Sequence, residues 1–81
     1  MHVAGIVVRG LPQHLPDLAE ALSARPGIEV HQMSEAKGAL VVTLETPDLD
    51  AQVEATRALL SVPKVMDVEV VYHAFEEAEL S

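Results

Sequence analysis

Val62-Pro63-Lys64-Val65-Met66-Asp67-Val68-Glu69-Val70-Val71-Tyr72-His73 ends one segment, turns at a proline and runs on as a valine-rich strand. Arg25-Pro26-Gly27-Ile28-Glu29-Val30 does the same earlier in the chain: helix end, proline, strand. Two such halves within 81 residues read as a pseudo-repeat inside one fold rather than a solenoid.

The segments between them fall into place. His2 to Arg9 is rich in Val and Ile and reads as a strand, ended by Gly10-Leu11-Pro12. Pro16 lacks an amide hydrogen and fits only a first turn, so the first helix begins no earlier than His14. Leu15, Leu18, Ala19 and Leu22 then share one stripe, with Asp17 and Glu20 early and Arg25 late in accord with the helix dipole. Ile28 to Met33 and Ala39 to Glu45 are extended runs joined by the polar turn Ser34 to Gly38, a hairpin. Thr46-Pro47-Asp48 offers two caps for a second helix, Thr46 with Pro47 at the first position or Asp48 itself. That helix is expected to turn Leu49, Val53, Thr56 and Leu60 to one face and to end at Val62-Pro63. Val65 to His73 is the last strand. The order βαββαβ predicts an α+β, ferredoxin-like two-layer sandwich: an antiparallel four-stranded sheet with two helices on one face. Residues 1–75 are expected to form a single domain. Residues 76–81, with Glu76, Glu77 and Glu79, are expected to be an acidic, frayed tail.

Composition narrows the partners. Thirteen acidic against five basic residues give a formal net charge of −8. Nucleic acid and anionic membrane surfaces bind through Lys and Arg, so this balance argues against both and favours a cationic partner. With no Cys, disulfides, iron–sulfur ligation and thiol catalysis are excluded. No run approaches the ~18 apolar residues of a membrane span. The N-terminus shows no basic region followed by an apolar run, so the chain is expected to stay in the cytoplasm.

Alternation assigns the sheet faces. Ala4, Ile6, Val8, Ile28, Val30, Leu40, Val42, Leu44, Met66, Val68, Val70 and Tyr72 form the larger apolar set and are expected in the core. The other set places Val3, Val7, Val41 and Val71 outward, with Gly5, Arg9, His31, Thr43 and His73 beside them and Glu29, Glu45, Asp67 and Glu69 around them. Valines ringed by carboxylates suit a ligand that is both apolar and cationic. β-Branched residues also favour strands wherever they sit.

Chemistry other than binding finds little support. His2, His14, His31 and His73 show no i, i+4 helical spacing, and no metal site is expected. Ser23, Ser34, Ser61 and Ser81 lie at helix ends, a turn or the terminus, and Gly27 and Gly38 are lone turn glycines without a phosphate loop. An acylphosphatase needs an Arg-lined cradle and an Asn, and the chain has no Asn. An RNA-binding sheet needs stacking aromatics on its central strands, whereas Tyr72 and Phe75 are the only aromatics here. No enzyme activity and no cofactor are expected.

Gly5-Ile6-Val7-Val8, Arg25-Pro26-Gly27-Ile28-Glu29-Val30, Gly38-Ala39-Leu40-Val41-Val42-Thr43-Leu44-Glu45 and Val71-Tyr72-His73 with Glu76-Glu77 together resemble the NapD family over His2 to Glu77. Two positions depart from that pattern: Gly5 stands where a small hydroxyl residue is usual, and Lys64 where a Gly precedes the last strand. The resemblance implies a cytoplasmic chaperone that holds the twin-arginine signal peptide of a periplasmic nitrate reductase precursor until folding and cofactor insertion are complete. The positions expected to bind the peptide are Val7, Arg9, Glu29, His31, Val41, Thr43, Glu45, Asp67, Glu69, Val71 and His73. The edge strand Ile28 to Met33 is a second candidate, by strand addition. A weak homodimer is left open. The rival from another class is a small-molecule sensing domain of ACT or leucine-responsive-regulator type, which shares βαββαβ and a Pro-Gly lead into the second strand. Those domains use a Gly-rich turn followed by Asp, whereas Gly38 is followed by Ala39-Leu40.

Overall fold

The computed structural model describes the backbone of residues 2–75 and the side chains of residues 2–71. The expected tail at 76–81 lies outside the described residues. The chain runs β1 (His2–Arg9), a 3₁₀ turn (Pro12–His14), α1 (Leu15–Ser23), β2 (Ile28–Ser34), β3 (Ala39–Thr46), α2 (Leu49–Leu59) and β4 (Asp67–Phe75). One antiparallel sheet has the order β2-β3-β1-β4. Both helices cover the same side of it. This is the expected ferredoxin-like sandwich.

The core follows the alternation on the two central strands. Ala4, Ile6 and Val8 of β1 and Leu40, Val42 and Leu44 of β3 are buried against Leu15, Leu18 and Leu22 of α1 and Leu59 of α2. Pro16 stands in the first turn of α1, as its missing amide hydrogen requires. Asp48 caps α2, its Oδ1 accepting from the Ala51 amide at 2.7 Å. Ile28, Val30 and Val68 pack partly buried at the sheet edges.

Three expectations give way. The first concerns α2. Val53 is 45% and Leu60 56% exposed, while Gln52 and Leu59 are buried and Ala55 packs against the core. The helix turns Gln52, Ala55 and Leu59 toward the sheet. The Gln52 side-chain amide donates to Thr56 Oγ1 at 3.2 Å, so burying it leaves no orphaned donor. Val53, Thr56 and Leu60 instead line a groove with Val68 and Val70.

The second is the last strand, which begins at Asp67 rather than Val65. Met66 precedes it and is 66% exposed, although its amide still donates to the Arg9 carbonyl at 2.8 Å.

The third is the pairing of β4. Ile6 pairs with Val70 and Gly5 with Tyr72, so Val71 is an extra residue between them. One extra residue inverts the alternation beyond it. Tyr72, expected on the core side, takes the register position opposite Gly5. His73, expected on the open side, takes the position opposite core residue Ala4.

Lys64 has φ +76, the left-handed region where a side chain crowds its own backbone. Its ion pair with Asp17, 3.4 Å apart and exposed, offsets little of that. Lys64→Gly is expected to stabilise the fold by roughly 0.5–1 kcal/mol after the extra chain entropy of glycine is counted. Thermal unfolding should show Tm rising by about 2–6 °C; a fall in Tm would contradict it.

Candidate functional site

The side of the sheet away from the helices carries no element among the described residues. Its middle is aliphatic. Val7 on β1 pairs with Val41 on β3, and both are half-buried by their neighbours alone. Gly5 and Thr43 form the next pair, and Val3 and Glu45 the one after. On the outer strands, Glu29 pairs with Thr43, Glu69 with Val7 and Asp67 with Arg9.

The charges are not spread evenly around this middle. Glu29 and Glu45 line one hollow of about 240 Å³ with Gly27, Ile28 and Thr43. His31 is the extra residue of a bulge in β2, between Val30 paired with Val42 and Gln32 paired with Val41. Its Nε2 lies 2.8 Å from Thr43 Oγ1 and 3.4 Å from Glu29 Oε1, holding both toward this corner. Glu45 forms no ion pair among the described residues. The hollow exists because Gly27, at φ +79, lets the chain turn tightly enough for its carbonyl to accept from the Glu45 amide at 2.8 Å.

A second acidic pair, Asp67 and Glu69, stands at the start of β4. Here Arg9 Nη2 lies 3.5 Å from Glu69 Oε1, so one of the two carboxylates already has a cation beside it. Beyond Arg9, the β2–β3 hairpin encloses a hollow of about 600 Å³ in which Arg9 and Lys37 meet Val7, Val41, Ala39 and Gln32.

Val7, Arg9, Glu29, His31, Val41, Thr43, Glu45, Asp67 and Glu69 thus lie on one face. Val71 is exposed but unpaired at the bulge, and the register places His73 opposite Ala4. Alternation alone also missed Lys37 and Gln32. The hairpin turn was the available signal for Lys37. Gln32 reaches the open side only because the bulge at His31 shifts the phase. Among the described residues no three His, Asp or Glu side chains converge as metal ligands.

The NapD protein family profile matches residues 1–77. The chain belongs to the NapD family. The chaperone NapD of Haemophilus influenzae is 30% identical over 76 residues, spanning 94% of this chain and 82% of the relative. The solution structure of the Escherichia coli Tat proofreading chaperone NapD superposes with a TM-score of 0.82 at 30% identity, covering 94% of this chain and 80% of that one. An AsnC-family transcriptional regulator of Pyrococcus furiosus superposes with a TM-score of 0.75 at 20% identity, covering 96% of this chain and 52% of the regulator. That likeness shows the fold alone. The NapD match therefore gives a family, and the regulator-type alternative only a shared architecture.

Proposed function

We propose that this NapD-family chain captures the twin-arginine signal peptide of a periplasmic nitrate reductase precursor on its open sheet face, in the cytoplasm. The observation that carries the reading is the uncovered Val7–Val41 centre flanked by the Glu29–Glu45 corner, where His31 lies beside Glu29 and no lysine or arginine pairs with either carboxylate among the described residues. The guanidinium groups of the peptide form charge-assisted hydrogen bonds with these carboxylates, stronger than neutral ones. Its apolar stretch covers the valines. Burying roughly 400 Å² of apolar surface gives about 10 kcal/mol gross, much of which is offset by ordering the peptide. Submicromolar affinity is consistent with what remains. A peptide held this way is hidden from the export machinery, so folding and cofactor insertion finish first. The role is occlusion, not catalysis. No helix among the described residues is long and apolar enough to cross a membrane.

Calorimetric titration with a synthetic twin-arginine signal peptide tests the reading. Saturable binding that weakens with salt and is largely lost when both arginines become glutamines is the expected result. Equal binding of the two peptides would defeat it. Glu69→Lys should weaken binding only about two- to fourfold, because Arg9 already shares that carboxylate. A loss above tenfold would move the arginine site to β4.

A further inference from the structure

The open face has direction. One corner carries Glu29 and Glu45 without a lysine or arginine partner among the described residues. The hollow at the hairpin end carries Arg9 and Lys37, two of only five basic residues in a chain of net charge −8. Lys37 forms no ion pair among the described residues. Between the two lie Val7 and Val41. We infer, building on the capture reading above, that the bound segment lies across the face in one direction only: arginine pair over Glu29 and Glu45, downstream end of the apolar stretch in the hollow beside Arg9 and Lys37.

Three considerations support this. The row containing Val3 and Glu45 and the row containing Arg9 and Ala39 are six residues apart along β1, about 20 Å at ~3.3 Å per residue. A helical stretch of about 13 residues or an extended one of about six covers that span. Apolar regions of export signals run to about 7–15 residues, roughly 10–22 Å as a helix, so the two charged ends of the face match the two ends of such a region in helical form. The hairpin hollow itself mixes aliphatic walls with two cations, which suits a side chain followed by free carbonyls or a carboxylate. In a helical segment the same polarity sets the positive N-terminal end against Glu29 and Glu45 and the negative C-terminal end against Lys37. The reverse orientation would bring the arginines against Arg9 and Lys37. The other acidic pair has a cation at hand: Arg9 lies 3.5 Å from Glu69 and stands in register opposite Asp67, so arginines arriving there would meet its charge.

The chain has no Cys, so a nitroxide can be placed on the peptide alone. Two synthetic twin-arginine peptides are needed, labelled before the arginines or after the apolar stretch, each added to ¹⁵N-labelled protein. The first should broaden the amides of Gly27, Glu29 and Glu45 at least threefold more than those of Arg9 and Gly38. The second should give the opposite ratio. A first label that broadens Arg9 and Gly38, or Asp67 and Glu69, overturns the polarity, and so do two labels with the same pattern. In each of those outcomes the peptide is still bound, so capture stands. Absence of saturable shifts with unlabelled peptide removes capture, and the polarity with it. As a second arm, Lys37→Glu should weaken a peptide ending in Glu about fivefold more than one ending in Lys; equal effects on both count against the hairpin end as the downstream site.

Discussion

Glu29→Lys combined with Glu45→Lys is expected to weaken twin-arginine peptide binding about a hundredfold at low salt. Each carboxylate lines the same hollow, so a guanidinium seated there meets both. Loss of one charge-assisted contact at a partly covered surface is worth roughly 1–1.5 kcal/mol, below the value for a buried pair because water still reaches the site. Two losses, with repulsion added by the new lysines, come to about 3 kcal/mol, and 1.4 kcal/mol is about tenfold. The gap between wild type and variant should shrink as salt rises, since exposed charges are screened. Both positions are exposed strand residues, so Tm should move little. Calorimetry on the folded variant would reject the acidic corner if affinity fell less than about threefold.

Gly27→Ala should cost about 3 kcal/mol of stability and lower Tm by some 12–20 °C. Two penalties combine. Gly27 sits at φ +79, where a β-carbon is strained whatever the space around it. That β-carbon would also press on the Glu45 carbonyl oxygen, a backbone atom that cannot rotate away. The turn cannot back off, because the Gly27 carbonyl accepts from the Glu45 amide at 2.8 Å. Relief requires opening the start of β2 against β3, where Ile28 pairs with Leu44 and Glu29 with Thr43. Peptide affinity should fall in parallel, since the same turn shapes the acidic hollow. Gly38→Ala offers a comparison, with φ +63 and its β-carbon 2.6 Å from the Gly10 carbonyl. Lys64→Gly, with the opposite expected sign, checks that positive φ is what matters. A Gly27→Ala loss under 1 kcal/mol would show that the turn yields.

Element order and the two central strands were legible because they obey single periodicities. Leu15, Leu18 and Leu22 keep a helical stripe, and Ile6, Val8, Leu40, Val42 and Leu44 alternate without interruption. What was not legible are the places where a period slips. Residues His31 and Val71 resemble ordinary strand residues, and nothing local marks them as bulged. Both bulges lie on edge strands, where an added kink disturbs only one neighbour. The slip at Val71 sets His73 in register with core residue Ala4. The slip at His31 brought Gln32 to the open side. On α2 the stripe Leu49, Val53, Thr56 and Leu60 was a true helical face but not the core face, since the sheet accepts Gln52, Ala55 and Leu59 more closely. The centre of the candidate site, Val7, Val41 and Thr43 with Glu29 and Glu45, was readable because it rests on strand phases that do not slip.

Chemical-shift mapping of the ¹⁵N-labelled chain with an unlabelled twin-arginine signal peptide tests the docking face most directly. The largest shifts should fall on Val7, Glu29, Val41, Thr43 and Glu45, with α1 and the outer surface of α2 unmoved. Shifts concentrated instead in the groove of Val53, Leu60 and Val70, or confined to the outer edge of β2, would contradict binding on the open side of the sheet.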